Sequence, residues 1–168
     1  PDLAAVAAAV PGAVPMVWLD SARTHEVTGR WSVLGYDPWL TLTARGDRVT
    51  LRTSAASRTW RTHPLEAIRD VLRRYRAPAS AVPHARAVGL LGYLSYDLNR
   101  WIERLPRPPV SDDPVPDLRW FGMRVVVLVD HLEQRSWLLS IADPHQPSAV
   151  ARRRAAEALE AARDWLDG

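Results

Sequence analysis

The chain has 168 residues, 47% hydrophobic and 24% charged, a balance that suits one globular domain and excludes a disordered chain. Its formal charge is +3, yet all 22 Lys/Arg positions are arginine; these are dispersed without interleaved aromatics, so they read as a solvated surface shaped by GC-rich coding rather than a nucleic-acid patch. Cysteine is absent, which excludes disulfides, thiol nucleophiles and Cys-type zinc sites, and no apolar run reaches the length of about 18 residues that a membrane span needs.

The apolar start "PDLAAVAAAVPGAV" has no basic region before it, so a signal peptide is not expected and a cytoplasmic location is. "VPMVWLD" (14–20) predicts a short strand, followed by the polar loop "SARTHEVTG". "RWSVLGY" and "WLTLTARG" predict two further strands, with a break at Asp37-Pro38 because proline pushes its predecessor out of helical space. Gly46-Asp47 lies between two alternating runs and signals a hairpin, and "SRTWRT" extends it with another strand. After His63 the period becomes helical, with Pro64 in the first turn and Leu65, Ile68, Leu72 and Tyr75 on one face.

Residues 87–96 predict a long strand and 97–104 a short helix. The proline-rich "LPRPPVSDDPVPD" reads as an extended connector. "WFGMRVVVLVDH" and "SWLLSIA" predict strands joined by a polar turn at "LEQR", and 147–166 an amphipathic helix opened by Pro147 and Ser148. Strands dominate with a few helices between them, so the expected class is α+β with a largely antiparallel sheet, in a single domain over 1–168.

Signals for catalysis are weak. His25, His63, His84, His131 and His145 are scattered, with no HxxxH or HxH pair, so no metal site is expected in this chain. No GxSxG elbow, P-loop or dinucleotide glycine pattern occurs. The eight tryptophans read mostly as core, each burying on the order of 150–250 Å². Trp31, beside Arg30 and after a loop, is placed either for a ligand or for packing.

The stretch "GLLGYLSYDLNRWIERLP" (89–106) concentrates polar and aromatic residues at a strand-to-helix corner. Gly92 permits close backbone approach, Tyr93 and Tyr96 flank the strand end, and Asp97 stands where an N-cap carboxylate would. Arg100 and Glu103 are three apart and able to pair, worth only about 0.2–0.5 kcal/mol. A capped corner accounts for every one of these residues.

The same stretch resembles the "GYxxYDxxRxxExLP" signature of the N-terminal domain of component I of the chorismate-utilising aminotransferring synthases, the anthranilate and aminodeoxychorismate synthases. The matching positions are Gly92, Tyr93, Tyr96, Asp97, Arg100, Glu103 and Pro106. Further segments follow in family order: "VWLDSA" resembles its "LLES" strand, "GRWSVLGYDP" its "GRYSFIG..P", "DDPVPD" its acidic loop, and "VVVLVDH" its "VFDH" strand. Two departures are Met123-Arg124, where the family usually has Tyr-Asp, and Asp20 in place of Glu.

The resemblance implies an α+β fold whose antiparallel-rich sheet carries helices on one face and meets a catalytic half with the other. It implies no catalytic residues and no cofactor in this chain, with Mg²⁺ held in a larger C-terminal catalytic half that the chain lacks. Both ends of the chain then read as cuts. The implied partners are that half, a glutamine amidotransferase subunit and a tryptophan ligand, with no nucleic acid and no membrane. Leu19, Asp20 and Ser21 match one wall of the family's tryptophan pocket, and Thr28, Gly29, Arg30 and Trp31 its second wall. Read from the residues alone, Asp20 and Ser21 equally suit a strand end with an Asx-type turn. The "SYDLNR" wording and the compact loop 21–29 favour aminodeoxychorismate over anthranilate synthase. The alternative of another class is a stand-alone amino-acid-binding regulatory module.

Overall fold

Two long strands organise the molecule, and their alternation explains why. In the computed structural model, which describes residues 2–10, 12–21, 23, 25–76, 89–104 and 115–167, "RWSVLGY" and "WLTLTARG" are one strand, β2, Trp31–Arg45. Within β2 the apolar set Leu34, Tyr36, Leu40, Leu42 and Ala44 is buried. The expected break at Asp37-Pro38 is instead a bulge. Asp37 takes a positive φ of 54°, and the pairing slips from Pro38↔Met123 to Leu40↔Gly122, leaving Trp39 as the extra residue. A proline has no N–H to give to a ladder, and a bulge is where a central strand tolerates one.

The preceding elements are α1 (Leu3–Ala9) and β1 (Met16–Leu19), and β3 (Arg48–Thr53) and β4 (Ser57–Arg61) follow β2. Then come α2 (Pro64–Arg74), β5 (Leu90–Leu94), β6 (Leu118–Asp130), β7 (Arg135–Ser140) and α3 (Ser148–Asp167). All pairings are antiparallel. The sheet runs β4-β3-β2-β6-β5, with β1 on β2 and β7 on β6. The fold is α+β, a curled antiparallel sheet with helices. The outer ends of β2 and β6 carry β1 and β7, and their other ends carry β3 and β5.

Each half of the sheet has its own core. Leu34, Tyr36, Val125 and Val127 pack with Leu3 and Val6 of α1 and Ala162 of α3. Leu40, Leu42, Ala44, Val49 and Leu118 pack with Ala67, Ile68 and Val71 of α2 and with Leu98. Helix α2 begins as read, with Pro64 at its first turn and the His63 ring accepting from the Leu65 N–H. Its buried stripe is rotated toward Ala67 and Val71, which leaves Leu72 45% exposed. The hairpin at Gly46-Asp47 forms as expected, with Gly46 at φ 55°. Helix α1 carries no signal in the sequence reading. Its seven residues fall below the length at which a helix holds itself, and it survives by packing and by the Asp2 cap on the Ala4 N–H.

The corner after β5 differs from expectation in three respects. It is a 3-10 turn, Tyr96–Trp101, rather than an α-helix over 97–104. Ser95, not Asp97, occupies the N-cap position, and it makes no side-chain cap bond. Arg100 pairs with Asp117 at 3.0 Å rather than with Glu103. Asp117 is buried and also accepts the Gly46 N–H, so one carboxylate ties the hairpin turn, the 3-10 turn and the start of β6 together. Its second acceptor site is what outcompetes an exposed i,i+3 pair. Tyr93 and Tyr96 are exposed, and Pro106 lies outside the described residues.

Gly92 is the sharpest constraint at this corner. A Cβ there would lie 2.0 Å from the Arg119 carbonyl oxygen and 2.7 Å from the Trp120 Cα, both backbone. Gly92→Ala must therefore push β5 off β6. The expected loss is about 1–3 kcal/mol in a urea unfolding series. Gly89→Ala, with nothing within 4 Å, is expected to stay within about 0.5 kcal/mol of wild type.

Candidate functional site

The candidate pocket residues gather where β1 leaves the sheet and β2 enters it. Leu19 pairs with Val33, so Asp20 and Ser21 meet Trp31 and Ser32 across the open end of the β1–β2 pair. Between them the chain folds on itself. The Gly29 N–H donates to the His25 carbonyl at 3.1 Å, and the His25 Nδ1 accepts from the Val27 and Thr28 N–H groups. Thr28 Oγ1 also lies 3.3 Å from that nitrogen. Gly29 is buried, and a Cβ there would overlap the Arg23 carbonyl oxygen at 1.7 Å, so only glycine fits.

Ser32 is the hub of the site. It is fully buried, and its hydroxyl meets three groups: Asp20 Oδ1 at 2.7 Å, His131 Nε2 at 2.7 Å and the Ser21 N–H at 3.0 Å. A hydroxyl has one proton and two lone pairs. The proton goes to the carboxylate, the Ser21 N–H occupies one lone pair, and His131 must donate from Nε2 to the other. That assigns the proton to Nε2 of His131. The Ser21 hydroxyl spends its own proton on the Trp31 carbonyl at 2.7 Å.

The chemical result is a cluster of acceptors. Asp20 is exposed apart from its bond to Ser32, and the Ser21 Oγ keeps its lone pairs. Both accept and neither has a proton to give; Ser21 is held to the Trp31 backbone and Asp20 to Ser32, while Leu19 is 48% and Trp31 37% exposed. A cationic donor on an apolar or aromatic body, such as an amino-acid ammonium, matches this set.

Arg30 is engaged elsewhere. Its Nε and Nη2 both donate to Asp130 Oδ2, at 2.9 and 2.6 Å, and Nη2 also reaches Glu133. Its guanidinium lies 4.8 Å from the Trp31 ring centroid, and Trp31 in turn stands 6.2 Å from Trp137. Asp130 Oδ1 accepts the Leu132 and Glu133 N–H groups of the β6–β7 turn. Hydrogen bonds from Arg30, aided by those backbone donors against the cost of burial, lower the Asp130 pKa to about 2. The same carboxylate raises the pKa of Arg30 above its ordinary value. Arg30 thus buttresses the second wall by orienting Trp31 and fixing the turn beneath it.

The structure brings Leu19, Asp20, Ser21 and Trp31 together, with Gly29 and Thr28 in the adjoining turn and Arg30 behind. Sequence reasoning missed Ser32, His131 and Asp130. The one signal was a lone serine among alternating apolar residues of β2, and "VDH" carried no assigned role. Of the two family departures, Met123 is buried and Arg124 donates to Asp37 at the bulge, 2.7 Å. Among the described residues no group of three or more His, Asp or Glu could hold a metal ion. Among them, too, no helix is long and apolar enough to cross a membrane.

No protein-family profile matches the chain. Curated relatives do. The chain is 33% identical over 130 residues to anthranilate synthase component 1 of Synechocystis, covering 74% of this chain and 25% of that protein. It is 28% identical over 127 residues to aminodeoxychorismate synthase component 1 of Klebsiella aerogenes, covering 75% of this chain and 28% of that protein. The chain thus spans about a quarter of the length of the relatives it matches, in their N-terminal part. Among solved structures, anthranilate synthase component I from Streptococcus pneumoniae superposes with a TM-score of 0.61 at 17% identity, over 84% of this chain and 31% of that one. This last likeness concerns the fold.

Two measurements probe the site's construction. Ser32→Ala strips partners from Asp20, His131 and the Ser21 N–H at once, and is expected to cost about 1–3 kcal/mol by chemical denaturation; Ser21→Ala is expected to cost about 1 kcal/mol or less. The second is acid stability. A carboxyl held below its ordinary pKa of 3.8 contributes stability at higher pH and loses it as pH falls toward about 2. Asp130→Asn is expected to remove that limb, so the variant's unfolding midpoint changes less than the wild type's across this interval.

Proposed function

The chain belongs to the component I family of anthranilate and aminodeoxychorismate synthases, whose N-terminal part it covers, and from that membership we propose that it is the N-terminal structural and regulatory domain of a chorismate-aminating enzyme. The observation that carries the reading is the junction of Leu19-Asp20-Ser21 with Trp31-Ser32, acceptors at Asp20 and Ser21 with Leu19 and Trp31 partly exposed. In this reading the domain supports a catalytic half that binds chorismate and Mg²⁺, and holds tryptophan at the junction. Asp20 and Ser21 receive its ammonium, and Leu19 and Trp31 line the indole. Ammonia is released from glutamine by an amidotransferase subunit.

Of the two family reactions we favour the aminodeoxychorismate one, in which ammonia displaces the 4-hydroxyl of chorismate as water and leaves 4-amino-4-deoxychorismate for p-aminobenzoate and folate. Supporting it are the compact His25–Gly29 turn and the Ser95–Arg100 wording. The anthranilate reading has its own support in the higher identity to the Synechocystis protein, 33% against 28%.

The test is product identification. The intact enzyme, given chorismate, Mg²⁺ and ammonium, is expected to form 4-amino-4-deoxychorismate; anthranilate as the sole product selects the second reading, and no turnover of chorismate overturns both. The 168-residue chain alone is expected to form neither. In the same intact enzyme, calorimetry is expected to show tryptophan binding that Asp20→Asn weakens by roughly ten- to hundred-fold. Equal binding by wild type and variant would leave Asp20 as a strand-end residue only.

A further inference from the structure

Two facing elements each carry an arginine where their pattern calls for a core residue. In the β3–β4 pair Trp60 lies opposite Val49 and Arg58 opposite Leu51, so strand alternation turns all four toward α2. Val49 is fully buried there and Arg58 breaks the pattern. On α2 the spacing of Ala67, Asp70, Val71 and Arg74 makes one stripe toward these strands. Ala67 and Val71 are buried, and Arg74 is the break. Polar side chains at core-facing positions are errors unless they serve a function.

Between the two stripes runs a cleft of about 520 Å³, the size of a small-molecule site. Its apolar lining is Leu51, Trp60, Ala67 and Val71, and the turn at Ala55 and Ala56 bounds it together with the rings of Tyr75 and His145. These two rings are fixed. His145 Nε2 is hydrogen-bonded to the Tyr75 hydroxyl, and fully buried Asp143 pins the loop by accepting the His145 N–H at 2.9 Å and the Ser54 hydroxyl.

The one carboxylate in the lining, Asp70, is engaged by Arg73 at 2.7 Å. Arg58 and Arg74 enter no ion pair among the described residues. Residues 77–88, which follow α2 in the chain, contain no Asp or Glu. Each of the two guanidiniums lies against a ring instead, Arg58 at 5.2 Å from the Trp60 centroid and Arg74 at 5.8 Å from that of Tyr75. Stacking holds the guanidinium while its N–H fork stays free for an acceptor.

We propose that this cleft binds a small organic anion, an apolar body of about one ring system whose carboxylate is drawn to Arg58 and Arg74. The apolar lining takes the body, and planar guanidinium forks match a carboxylate bidentately. The site is separate from the Asp20 junction. That junction is built on Ser32 at the start of β2, whereas β3 pairs with the Leu40–Arg45 end. It also opens on the side of the sheet that carries α2.

The test uses the intact protein with cinnamate as the probe, read by NMR on a sample with isotope-labelled tryptophan. The Trp60 indole signal, assigned by its loss in Trp60→Phe, is expected to move saturably with cinnamate. Uncharged cinnamyl alcohol is expected to bind about tenfold or more weakly, and inorganic phosphate to leave the signal in place. Arg58→Ser and Arg74→Ser are each expected to weaken cinnamate by about tenfold, as loss of a charge-assisted contact does, while Arg73→Ser retains binding. Ala55→Phe adds a ring to the lining from an exposed turn and is expected to abolish binding without lowering the melting temperature. A Trp60 signal that ignores cinnamate, that responds equally to the alcohol or to phosphate, or that loses as much affinity in Arg73→Ser as in Arg58→Ser overturns the proposal.

Discussion

Everything in this domain hangs on the antiparallel pairing of β2 with β6. These are the only strands that pass through both halves of the described sheet, and each short strand pairs with one of them or with β3. The pairing survives a proline in its middle because the chain bulges there. Asp37 moves to positive φ, Trp39 is left over, and Arg124 of β6 reaches back to hold Asp37. The extra residue lets Trp39 turn into the core, where its ring meets Tyr75 edge-on at 5.4 Å. Two of the core clusters among the described residues are closed by helices, and a third, Phe121, Met123 and Val126, packs only with strand residues and Ile141.

The junction at Asp20 depends on that spine through Ser32 and His131. One residue comes from β2 and the other from the end of β6, so their hydrogen bond exists only while the two strands stay in register. The carboxylate is thus positioned by the sheet rather than by its own loop. Arg30 and Asp130 do the same for the aromatic wall, crossing from the loop before β2 to the turn after β6. A site built this way transmits any slippage of the spine directly to its acceptors.

Much of the architecture was legible from local chemistry. The Gly46-Asp47 hairpin, the Pro64 helix start and the closing helix each rest on residues whose preferences act over a few positions. What was illegible depended on pairing partners. Nothing in "YDPW" distinguishes a strand break from a bulge, because the difference lies in whether β6 continues past it. Arg100 looks toward Glu103 in sequence, but a buried Asp117 from another strand offers a better acceptor. The candidate site was half legible. Leu19 to Ser21 and Thr28 to Trp31 were named through family likeness, while Ser32 and His131 have no signal until the register sets them 2.7 Å apart.

The Arg124–Asp37 contact also bears on which substitutions the bulge admits. With the guanidinium at 2.7 Å from the Asp37 carboxylate and largely enclosed, an acidic residue at position 124 would set two carboxylates against each other at the bulge. A neutral residue at position 37 would instead leave the enclosed guanidinium without this partner, so the two positions act as a couple.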